Sequence, residues 1–60
     1  MKIKMTRTVT PGLPYYGKSG TILYNNSTYE AIIKNSNVYG ICGNSEMLRL
    51  QSEDYILIEE

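Results

Sequence analysis

Apolar and polar residues alternate along the first nine positions, Met1-Lys2-Ile3-Lys4-Met5-Thr6-Arg7-Thr8-Val9, with one break at Arg7. A period of two belongs to a strand with one buried face, so Met1, Ile3, Met5 and Val9 are expected to point inward. Arg7 on that side reads as a strand bend, a rim position or a functional charge, the rim being favoured because arginine extends its charged head to water along an apolar stem. Thr21-Ile22-Leu23-Tyr24 is expected to be a second strand, ended by Asn25-Asn26-Ser27, where asparagine tolerates the left-handed backbone of a tight turn. A third strand is expected over Thr28-Tyr29-Glu30-Ala31-Ile32-Ile33-Lys34, with Tyr29, Ala31 and Ile33 on one face. After a turn at Asn35-Ser36-Asn37, Val38-Tyr39-Gly40-Ile41-Cys42-Gly43 reads as a short strand whose glycines mark a bulge or a close backbone approach. Asn44-Ser45-Glu46-Met47-Leu48-Arg49-Leu50 has two readings: Ser45 suits a helix cap, while Leu48-Arg49-Leu50 alternates like a strand. Gln51-Ser52-Glu53-Asp54 predicts a solvated polar turn, one turn of 3₁₀ helix. Tyr55-Ile56-Leu57-Ile58 then closes the chain as a strand of β-formers, followed by Glu59 and Glu60, which discourage edge pairing.

Between the first two runs lies Pro11-Gly12-Leu13-Pro14-Tyr15-Tyr16-Gly17-Lys18-Ser19-Gly20, which holds both prolines of the chain. Prolines fix φ and glycines admit positive φ, so this is a shaped loop, and loops on small scaffolds are where function concentrates. The stretch from Gly12 to Ser19 also fits the phosphate-loop pattern G-x-x-x-x-G-K-[ST] letter for letter. That chemistry needs a strand before the loop and a helix N-terminus after it. Gly20-Thr21-Ile22-Leu23-Tyr24 is strand-like instead, and Pro14 removes an N–H from the cradle, so the match is read as accidental.

Sixty residues bound the chain to a single domain, residues 1–60, with a small core. With 42% hydrophobic residues, 20% charged residues and zero formal net charge, neither a disordered tail nor a strongly basic nucleic-acid binder is indicated. One cysteine and no histidine leave no internal disulfide and no metal framework. Cys42 has no basic neighbour to activate it and is expected to be a small buried side chain. No apolar run has membrane-spanning length and no signal peptide is evident, so a cytoplasmic protein without a membrane partner is expected. The Asn25 and Asn26 glycosylation-type triplets then carry no meaning. Basic residues (Lys2, Lys4, Arg7, Lys18, Lys34) crowd the first part and acidic ones (Glu46, Glu53, Asp54, Glu59, Glu60) the end. Two readings fit: a bipolar surface with one basic and one acidic patch, and, favoured over it, pairing of the first and last strands that sets Lys2 and Lys4 near Glu59 and Glu60.

Five to six short antiparallel strands, turn chemistry between them, and a 3₁₀ turn before the last strand together predict a small all-β barrel. A lysine-bearing first strand, a loop ending Tyr16-Gly17-Lys18-Ser19-Gly20-Thr21-Ile22, and a closing Ser52-Glu53-Asp54-Tyr55-Ile56-Leu57-Ile58 resemble an SH3-like barrel of the KOW type. In such barrels the Gly-Lys-x-Gly run turns the loop into the second strand. The resemblance implies binding to protein, RNA or a ribosomal surface, not catalysis. The residues themselves offer no acid–base set and imply no cofactor or metal: Glu53 and Asp54 are adjacent in a turn and would splay apart. The expected function is a protein-interaction module contacting its partner through Leu13, Tyr15, Tyr16, Lys18 and Tyr39, since tyrosine gives large amphipathic contact area at low entropy cost. The chain's brevity and its Asn, Lys, Ile and Tyr richness are similar to small phage or mobile-element proteins that inhibit a host factor. Two alternatives stand beside it: a nucleic-acid or ribosome-associated module using the basic residues with stacked tyrosines, and a barrel that self-assembles with a ligand site between copies.

Overall fold

The computed structural model describes residues 1–13, 15–17, 20–43 and 45–60. Five strands follow in order: β1 (Lys2–Met5), β2 (Thr28–Lys34), β3 (Asn37–Ile41), β4 (Met47–Leu50) and β5 (Tyr55–Glu59), the last introduced by a 3₁₀ turn at Ser52–Asp54. They form one sheet in the order β4-β3-β2-β1-β5, every neighbouring pair antiparallel. This is the all-β class predicted above, with five strands and no α-helix among the described residues.

The alternation of the strands builds the core. Ile3 and Met5 of β1, Ala31 of β2, and Leu48 and Leu50 of β4 are buried on one face. The connection between β1 and β2 adds Val9 and Leu23 to that core, and the two exchange both backbone hydrogen bonds, at 2.9 and 3.0 Å. Leu23 seats against Gly40 of β3: a Cβ there would stand 2.6 Å from Leu23 Cδ1 and 3.1 Å from Leu50 Cδ1. Gly40 is thus the close backbone approach expected of the β3 glycines, small so that a covering leucine can reach the sheet.

Several expectations are corrected. The first strand ends at Met5, not Val9; Arg7 sits in the bend that follows, which is the strand-bend reading of that position. The segment 21–24 is no strand: it makes one isolated bridge, Val9 to Leu23, although Thr21 and Leu23 are both buried. An extended segment lying across a core buries alternate residues just as a paired strand does, so the period alone cannot tell the two apart. The Gly-Lys-x-Gly run therefore does not lead into the second strand; β2 begins eight residues after Gly20, at Thr28. Ile33 does not share the burial of Ala31, because β1 pairs with β2 only from Thr28 to Glu30, and the far end of β2 runs on beside β3 alone. Beyond it Asn35 and Ser36 both take positive φ, +52° and +67°, the two-residue turn whose twist matches a hairpin. Of the two readings for residues 44–50, the strand holds over Met47–Leu50. The first and last strands do pair: Lys2 lies opposite Glu59, whereas Lys4 lies opposite Ile56.

Candidate functional site

Tyr15 and Tyr16 are adjacent in sequence and go opposite ways. Tyr15 turns inward, half-buried against the core, and its hydroxyl donates to Asp54 Oδ1 at 3.2 Å. Burial, and after it the neighbouring Asp54 carboxylate, raises the Tyr15 hydroxyl above its ordinary pKa of 10.0. Tyr16 turns outward and is 62% exposed. Its φ is +60°, a left-handed backbone that costs a bulky L-residue about 1 kcal/mol. Two backbone bonds fix the loop there: the Tyr16 N–H donates to the Gly12 carbonyl at 3.0 Å, and the Arg49 N–H of β4 donates to the Tyr15 carbonyl at 2.9 Å. Next to them Gly17 lies so close to the Leu48 side chain that a Cβ would overlap it.

The Tyr16 ring lies under the Arg49 guanidinium, whose carbon is 4.8 Å from the ring centroid. Arg49 alternates with the buried Leu48 and Leu50, so it occupies the outer face of β4. Directly across the ladder from it is Tyr39 of β3, and across from Tyr39 is Ile32 of β2. The next row of the same face pairs Met47 with Ile41. The sheet therefore lines up Tyr16, Arg49, Tyr39 and Ile32 as a strip running from the loop across three strands, with Met47 and Ile41 alongside. Cation–π contacts of this kind contribute roughly 0.5–1 kcal/mol at exposed sites.

Among the residues expected to bind, Tyr16 and Tyr39 are joined through Arg49, Leu13 is 80% exposed on the same loop, and Tyr15 is drawn into the packing. Lys18 lies outside the described residues, as do Pro14 and Ser19 of the phosphate-loop pattern; the segment from Thr21 onward, where that pattern needs a helix, is extended. Arg49 was missed. Its side was legible from Leu48-Arg49-Leu50, but its neighbours depend on the β3–β4 register, which the local pattern does not fix.

Asp54 corrects the expectation of a solvated acidic turn. It is fully buried, with Oδ1 3.3 Å from Arg7 Nε and accepting from the Tyr15 hydroxyl, and Oδ2 accepting the Gln51 N–H at 2.8 Å. The Thr6 N–H and hydroxyl reach the Asp54 and Glu53 carbonyls, each at 2.8 Å. A buried carboxylate requires such partners, and together they form a clasp between the start of the arm and the 3₁₀ turn. Arg7 keeps its head half in water, as a rim residue does. Cys42 is half-buried and packed on the core. Among the described residues no three His, Cys, Asp or Glu side chains gather as a metal site, and no helix is long and apolar enough to cross a membrane.

No family model matches the chain, and neither the curated proteins nor the solved structures give a match.

Proposed function

We propose that the chain is a non-catalytic protein-interaction module whose contact surface is the strip Tyr16, Arg49, Tyr39 and Ile32, with Leu13 on the adjoining loop. The observation that carries this reading is the stack of Arg49 on an exposed Tyr16 held at positive φ. Between Tyr15, tied to Arg49 and Asp54, and Gly17, packed on Leu48, the left-handed turn at Tyr16 sends its ring outward into water. Strain at an exposed aromatic is a feature of binding sites. Tyrosine and arginine clustered beside aliphatic neighbours are also the residues that dominate interface energetics. A module of this kind acts by occupying its partner's surface.

Affinity capture from a lysate treated with nuclease tests it, comparing the wild type with Tyr16→Asn and Tyr39→Ser. Asparagine tolerates the left-handed backbone, so Tyr16→Asn removes the ring and leaves the turn. A protein retained by the wild type should be lost from both variants, with affinity falling about 30-fold for a hot-spot residue and melting unchanged. Retention that vanishes with nuclease, or that survives both substitutions, overturns the proposal.

A further inference from the structure

The far edge of the sheet carries a second feature that the strip does not use. β5 is an edge strand, with β1 on one side and no strand on the other among the described residues. Ile56, Leu57 and Ile58 follow one another on it, 54%, 48% and 47% exposed. The Asp54 carbonyl accepts from Thr6 toward β1. Antiparallel alternation then turns the N–H and C=O groups of Tyr55 and Leu57 outward, a short open ladder that stops where the β1–β5 register shifts, between Leu57 and Glu59. The usual protections of such an edge are lysine, proline or a charge standing against the incoming strand. Here the one charge within β5, Glu59, lies opposite Lys2 of the same molecule.

We propose that β5 pairs antiparallel with β5 of a second copy, about a two-fold axis through Leu57, joining two five-stranded sheets into one. The register selects the occupant. Only residues of equal parity can exchange outward hydrogen bonds, so the axis must pass through a residue. Through Leu57 it sets Leu57 against Leu57 and Ile56 against Ile58 in both directions; Glu59 lies past the register shift, so the ladder ends at Ile58. Through Ile56 it would oppose Ile58 to Asp54, and through Ile58 it would oppose Leu57 to Glu59. The Leu57 axis alone matches all three aliphatic residues with aliphatic partners. The strand is therefore complementary to itself. A three-residue ladder covers far less than the roughly 1,200 Å² of a stable interface, so the dimer is weak and reversible.

Sedimentation equilibrium of the full chain should show a weight-average mass rising toward twice the monomer between about 10 μM and 1 mM. Leu57→Lys, which opposes two ammonium groups at the axis, should hold the mass at the monomer value while melting as the wild type does. In a Cys42→Ser background, Leu57→Cys should oxidise to a covalent dimer, the H-bonded pair standing about 5.5 Å apart between Cα atoms. Ile56→Cys alone should not, but mixed with Ile58→Cys it should give the heterodimer. A wild type that stays monomeric throughout the range overturns the proposal. So does a mass rise that Leu57→Lys leaves in place, or cross-linking by Ile56→Cys alone. Tyr16→Asn should leave the mass curve unchanged, which separates this interface from the strip.

Discussion

At the β4 edge the outward N–H of Arg49 is taken by the Tyr15 carbonyl, Gly17 lies against Leu48, and the loop that supplies both is tied down through Asp54. At the β5 edge three aliphatic residues stand half in water beside an open ladder. Both edges belong to one sheet, and both present large side chains. The difference is that the first edge is sealed by the chain's own arm, which leaves only side chains such as Tyr16 to meet a partner, while the second still offers backbone. A sealed edge recognises a partner by side-chain chemistry; an open one recognises any strand of matching pattern.

The largest effect expected on this contrast comes from breaking the clasp. Asp54→Ala strands the Tyr15 hydroxyl and the Gln51 N–H, leaves the Arg7 head to water, and should lower stability by about 3 kcal/mol, measured by urea denaturation. In so small a domain that is a large part of the whole. The same substitution should release the loop from the β4 edge, read as faster hydrogen exchange at the Arg49 N–H. Unchanged stability would show that the β4 edge is sealed without the clasp.

A smaller effect sharpens the role of Tyr15. Tyr15→Phe removes one hydrogen bond and should cost about 1 kcal/mol. Because the folded hydroxyl holds its proton more tightly than the unfolded one, its contribution is fully present below the ordinary pKa of 10.0 and is lost as pH rises through and above that value. The wild type should therefore lose stability above pH 10.0 more steeply than Tyr15→Phe, in paired melts across that range. Parallel profiles would remove Tyr15 as the titrating group. The smallest effect belongs to the open edge: Leu57→Lys should change monomer stability by less than about 0.5 kcal/mol, as exposed substitutions do. A large loss would mean that Leu57 works for the core.

The sequence shows most plainly what depends on nearest neighbours. Ile3 and Met5, Leu48 and Leu50, and the paired turn at Asn35 and Ser36 are all readable from local alternation and turn chemistry, and the sheet is built from them. Leu23 misleads because burial against the core, without pairing, leaves the same imprint as a strand. Asp54 is unreadable in its turn: its burial is licensed by Arg7 and Tyr15, distant in sequence, and a local pattern has no access to them. The strip was half legible for the same reason. Tyr16 and Tyr39 stand out by type, but Arg49 matters only through the neighbours that the register gives it.

The clasp also has a consequence for the order of assembly. It joins groups 39 and 47 residues apart, from Tyr15 to Asp54 and from Thr6 to Glu53, whereas the β2–β3 hairpin closes across two residues. Bringing distant segments together costs loop-closure entropy before any contact returns it. The hairpins therefore form early, and the arm settles over them only after the last strand has returned to β1. Interactions made that late are absent from the transition state, so they govern the unfolding rate and leave the folding rate nearly untouched. Asp54 is in this sense a lock on the lifetime of the folded molecule rather than a guide to reaching it.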